Sequence, residues 1–147
     1  MDLASARINA YYNPEHSGWH GSAIGDINGD GKADLVFFRD NYTFVYISTG
    51  STFNQTATVA GLRGTTLADV NGDGKDDLIT FHTIYDDGTN PLETRMYVRL
   101  STGSSFGGWS LWNTWYSGGT YAVGDVDGDG REDVVFRASL INSRFAR

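Results

Sequence analysis

Short apolar stretches recur along the chain, separated by clusters of Gly, Asn, Asp, Ser and Thr, and none of them follows a helical period. A short strand is expected at SAIG, TTLA and YAVG, each running into an acidic stretch. A second strand leaves that stretch at LVFF, LITF and VVF. A hairpin then leads to a third at TFVYIS and TRMYVRLS, and a fourth follows at QTATVA and GWSLWNTWY. The second strands are apolar runs without polar alternation, which predicts sheets covered on both faces.

Beneath these strands lies a repeat. GDINGDGKADLVFF begins at Gly25, ADVNGDGKDDLITF at Ala68 and GDVDGDGREDVVFR at Gly124. Their leading aspartates, Asp26, Asp69 and Asp125, are 43 and 56 residues apart. A second echo, YISTGSTF from Tyr46 and RLSTGSSF from Arg99, follows the first two copies. Asp34 and Ser48 are separated by 14 residues, Asp77 and Ser101 by 24. The extra length falls around IYDDGTNPLET, expected as an inserted hairpin loop. Four-stranded units of roughly 40–50 residues, stacked face to face, are propeller blades. The expected fold is therefore all-β: a β-propeller segment of three blades, each of four antiparallel strands. Residues 1–147 form a single unit with acidic loops at 26–34, 69–77 and 125–133.

Composition narrows the chemistry. The chain has 147 residues, about one domain's worth. Eleven Lys and Arg stand against 18 Asp and Glu, a net charge of −7 that speaks against nucleic acid or an anionic membrane as partner. With no Cys, disulfides, thiolate metal sites and Cys nucleophiles are excluded. No apolar run approaches the roughly 18 residues of a membrane span, so no membrane insertion is expected.

The acidity is concentrated in the three loops. Positions one, three, five and nine are Asp26, Asn28, Asp30 and Asp34; then Asp69, Asn71, Asp73 and Asp77; then Asp125, Asp127, Asp129 and Asp133. Short oxygen-bearing side chains on alternate residues of a curled loop are what a hard divalent cation such as Ca²⁺ requires. Gly31, Gly74 and Gly130 at position six provide a sharp turn. Position seven (Lys32, Lys75, Arg131) would contribute its carbonyl, its side chain pointing to solvent. Asp-Gly turns without a metal would account for one such loop, but three copies in fixed register favour up to three Ca²⁺ per chain. An EF-hand would place a carboxylate at position twelve and lead into a helix. Phe37, Thr80 and Phe136 stand there instead, each in a predicted strand.

These loops, DxNGDGxxDL twice and DxDGDGxxDV once, flanked by apolar strands, resemble the FG-GAP/VCBS repeats. That family forms calcium-binding β-propeller blades in integrin α-subunits and in secreted bacterial adhesins, lectins and polysaccharide-active enzymes. The resemblance implies that each loop joins the first and second strands of a blade, with calcium on one rim, in an extracellular, secreted setting. The Phe-Gly and Gly-Ala-Pro signatures that give the repeat its name are absent here, so an integrin-like role is not implied.

No catalytic motif is present, and the chain is expected not to be an enzyme. His16, His20 and His82 read as surface residues, and Asp86 and Asp87 as solvated turn residues. Binding fits better. Trp109, Trp112 and Trp115 lie on one predicted strand and Trp19 precedes the first acidic loop. Simple alternation puts Trp109 and Trp115 on one face and Trp112 on the other. Packing between blades is the plainer role for these rings; a stacking platform for a sugar is the sharper one. The expected function is a non-catalytic, calcium-binding module for carbohydrate binding or adhesion, with a glycan or an extracellular protein as partner. The alternative is an accessory part of a larger secreted polysaccharide-active hydrolase or lyase. An unpaired strand over Ala6–Tyr12 and a third blade lacking its fourth strand further suggest strand exchange. That exchange would make a homodimer of six blades, unless the chain is part of a longer propeller.

Overall fold

The structure, a computed structural model, describes residues 19–61, 64–86 and 90–138. Ten strands run in chain order with no helix among the described residues: β1 (Trp19–Gly25), β2 (Asp34–Arg39), β3 (Tyr42–Ser48), β4 (Phe53–Ala60), β5 (Thr66–Ala68), β6 (Asp77–Tyr85), β7 (Pro91–Ser101), β8 (Phe106–Trp115), β9 (Gly119–Gly124) and β10 (Asp133–Ala138). They form three antiparallel sheets: β1-β2-β3-β4, β5-β6-β7-β8, and the pair β9-β10. Each acidic loop joins the first two strands of its sheet. The strands anticipated over Ala6–Tyr12 and beyond residue 138 lie outside the described residues.

Apolar faces press the sheets together in two layers. Between the first and second, Ile27, Val36, Phe38 and Val45 meet Leu67, Leu78 and Phe106. Between the second and third, Ala68, Val70, Ile79, Phe81, Met96, Val98 and Trp115 meet Val123 and Val134. An aromatic stack crosses this second layer: Phe81 on Tyr121 at 4.0 Å and Trp115 on Phe136 at 4.3 Å. Burial on both faces holds for β6, whose first four residues are all buried, because its sheet lies between the other two. In β2 full burial alternates with partial burial, since no described residue packs on the outer face of the first sheet.

The extra length in the second repeat does not form a loop. It extends β6 to nine residues and β7 to 11, against six and seven for β2 and β3. Thr, Ile, Tyr and Val along HTIY and LETRMYV favour the pleated pairing over a coil. Only residues 86–90 separate the two strands, and of these 87–89, Asp87 among them, lie outside the described residues.

The STG echo has a structural role at the base of each hairpin. Ser48 N donates to Asp34 Oδ1 and Ser101 N to Asp77 Oδ1, both at 2.8 Å. The Ser101 hydroxyl donates to the Ile27 carbonyl at 2.5 Å and accepts from Gly103 N at 3.0 Å, tying the second sheet to the first acidic loop. Ser101→Ala is expected to cost about 1 kcal/mol, the typical net value of one hydrogen bond. Ser48→Ala, whose hydroxyl accepts only from Gly50 N among the described residues, should cost less. Urea denaturation midpoints of the two variants give the comparison.

Candidate functional site

Each acidic loop is wound around its first aspartate. Asp26 accepts from the backbone N–H groups of Gly29, Asp30 and Gly31 at 2.8–3.1 Å. Asp69 does the same with Gly72, Asp73 and Gly74, and Asp125 with Gly128, Asp129 and Gly130. Position three accepts from the N–H of position five in all three loops. Two glycines per loop take positive φ: position six, as anticipated, and also position four, with φ of 77°, 78° and 76° at Gly29, Gly72 and Gly128. The Gly-Asp-Gly spelling carried that second signal.

Position nine is the innermost. Asp34 and Asp77 are fully buried. Their second oxygens accept from Ile27 N at 2.8 Å and Val70 N at 3.1 Å; Asp133 accepts from Val126 N at 3.0 Å. Burial pushes the Asp77 carboxyl above the ordinary aspartate value, against the pull of its two N–H bonds.

In the third loop one carboxylate oxygen each from Asp125, Asp127 and Asp133 lie within 4.8 Å of one another. The Asp129 N–H bond pulls Asp127 down, but burial and the charges of Asp129 and Asp133 outweigh it and its carboxyl is raised. Asp129 is lowered, first by the Arg131 N–H and then by the guanidinium. The donor set in every loop is oxygen only, the chemistry that suits a hard cation. The position-seven side chains do not simply point to solvent. Lys32 reaches Asp30 at 3.4 Å, Lys75 reaches Asp73 at 3.9 Å and Arg131 holds Asp129 at 2.8 Å. A flexible cation beside a cluster of carboxylates folds back toward them; such exposed pairs contribute little to stability.

The loops line up along one edge of the sheets and are wired to each other through position eight, which the sequence reading passed over. Asp26 N donates to Asp76 Oδ2 and Asp76 N returns a bond to the Asp26 carbonyl, both at 2.8 Å. Asp69 N donates to Glu132 Oε1 at 3.4 Å and Glu132 N to the Asp69 carbonyl at 2.8 Å. Burial, followed by the charges of Glu132, Asp26 and Asp69, raises the Asp76 carboxyl, while its Asp26 N–H bond lowers it.

The tryptophans are divided otherwise than alternation predicted. The β7–β8 register pairs Tyr97 with Leu111 but Met96 with Asn113, so a bulge at Trp112 switches the faces. Trp109 then lies against Tyr97 at 4.7 Å with Arg99 over its ring. Trp115 faces the third sheet within the aromatic stack. Trp112 and Trp115 share a cleft of about 380 Å³ with Met96, Asn113, Arg131 and Glu132. The Trp19 side chain, His16 and the His20 side chain lie outside the described residues. His82 is exposed and lines a separate cleft with Asp40 and Tyr85.

Among the described residues no helix is long and apolar enough to cross a membrane. No curated protein matches the chain. The FG-GAP-like repeat matches residues 26–80, the stretch that runs from the first aspartate of one acidic loop through β2–β5 and into β6 beyond the next loop. By that match residues 26–80 are similar to an FG-GAP-like repeat, and the acidic loop over 125–133 repeats the pattern of the two loops within it.

Proposed function

We propose that the chain is a calcium-binding β-propeller module of extracellular type that binds carbohydrate and carries out no catalysis. In this reading the three sheets are blades and each acidic loop holds one Ca²⁺ through positions one, three, five and nine and the carbonyl of position seven. The observation that carries it is the alignment of three oxygen-only loops along one edge, with identical internal hydrogen bonding. A cation at each loop would offset most of the net charge of −7.

The cleft between the second and third sheets is the favoured sugar site. Trp112 is 45% exposed and offers an apolar ring face, while Asn113, Arg131 and Glu132 offer hydroxyl partners beside it. Binding of the calcium-loaded chain to a glycan array tests this, and Trp112→Ala should lose at least tenfold in affinity for whichever glycan is retained. Its melting temperature should stay close to the parent's, because the ring is only half-buried. Trp109→Ala, on the other face of β8, should leave glycan binding unchanged. A folded, calcium-loaded chain that retains no glycan would overturn the carbohydrate reading in favour of protein adhesion.

A further inference from the structure

The outer face of the third sheet repeats the chemistry of two interfaces that are filled within the chain, and there it is unfilled by any described residue. Position two of the loop is Ile27, Val70 and Val126; Ile27 is wholly buried and Val126 is 71% exposed. Val36, Ile79 and Val135 share a register; the first two are wholly buried against the next sheet and Val135 is 51% exposed. The polar contacts follow the same rule. The main chains of Asp26 and Asp69 each exchange hydrogen bonds with position eight of the following loop, Asp76 and Glu132. For the Asp125 N–H and carbonyl no such partner exists among the described residues.

The residue before each leading aspartate is matched to what meets it. At Gly25 a Cβ would run into the Asp76 carboxylate, so glycine there admits the short acid at 2.8 Å. Ala68 occupies the same place in the second loop, and its neighbour is the longer Glu132 at 3.4 Å. Gly124 has the room that Gly25 has, yet a Cβ there would meet nothing within 4 Å. Position four behaves likewise. Gly29 and Gly72 lie against the stems of Lys75 and Arg131 from the next loop, while Gly128 faces open space.

We infer that this face is a docking surface for a further FG-GAP-like repeat whose acidic loop carries a basic residue at position seven and an aspartate at position eight. A second copy of this chain offers Lys32 and Ala33 at those positions, which supplies the cation but not the carboxylate. The first repeat is one substitution away from the complement. The inference rests on the repeat geometry and not on occupancy of the loops by metal.

Sedimentation velocity of the full chain tests it through Ala33→Asp, at an exposed position. The unaltered chain should sediment as a single 16.1 kDa species. Ala33→Asp should associate head to tail at least tenfold more tightly, and Ala33→Glu less so because Gly124 leaves space sized for the shorter acid. Adding Val135→Asp to Ala33→Asp should return the single chain. Amide exchange supplies a second readout: Asp125 N–H should exchange fast in the unaltered chain and slow in Ala33→Asp, with Asp26 and Asp69 protected in both. The inference is overturned if Ala33→Asp sediments as the parent does. It is equally overturned if its association survives Val135→Asp, or if the unaltered chain already dimerises through this face.

Discussion

Asp77→Ala is expected to bring the chain to the edge of unfolding. The Asp77 side chain is wholly buried, and its two oxygens accept from Val70 N and Ser101 N. Alanine would leave both part-buried donors without their acceptor. Each buried unsatisfied donor costs about 1–3 kcal/mol, against a total stability of roughly 5–15 kcal/mol for a domain. The loss also strikes the middle sheet, on which both apolar layers depend. Asp77→Asn should be milder, because the amide keeps one acceptor and turns a donor toward the other N–H. Equilibrium urea unfolding monitored by tryptophan fluorescence measures both. A loss under about 1 kcal/mol for the alanine variant would show that the carboxylate is not what closes the loop onto β7.

Chelation should lower the melting temperature by a similarly large amount. A ligand bound only by the folded state stabilises it by about 2.7 kcal/mol at a hundred times its Kd, per site. For a chain of this length, each kcal/mol is worth of the order of 2–4 °C. EGTA should therefore shift the transition downward by several degrees for each ion removed, and calorimetry should return a stoichiometry of up to three. The third loop should fill first, since it places four aspartates at ligand positions where each of the others has three and an asparagine. Without a cation those carboxylates repel one another. Asp129→Ala should weaken binding more than Asn28→Ala. An unchanged melting curve in EGTA together with a flat calcium titration would remove the metal from the account.

How much of this could be read from the sequence depended on whether a signal was local. The acidic loops, the strands on either side of them and the antiparallel meander follow from spacing and apolar runs, because loop ligands and strand partners lie close together along the chain. The register of β8 did not follow. A single extra residue at Trp112 turns the remaining ring over, and no composition marks a bulge of that kind. The insert was misplaced because a Gly- and Pro-bearing segment reads as coil, while its flanks are good strand formers that the neighbouring sheet rewards with pairing. Position eight was missed for a different reason. Ala33, Asp76 and Glu132 look like drift at an unimportant site, and the sense of the two acids appears only when the preceding loop is seen beside each of them. The STG echo was visible as a motif, but its partner is a carboxylate far along the chain.

That last contact has a consequence for how such repeats diversify. The bond from the position-nine carboxylate to the serine N–H is 2.8 Å whether the two residues stand 14 or 24 positions apart. The base of the hairpin is fixed by the acidic loop, so the hairpin's length is a free variable. Closing a longer excursion costs little extra once its ends are held, since the entropy of closure grows only logarithmically. The tip between β6 and β7 is thus a graft point. Foreign sequence placed there would be carried away from the aligned loops on a ladder of strand pairing. Repeats of this kind would then be able to change what their hairpins present without renegotiating how their sheets stack.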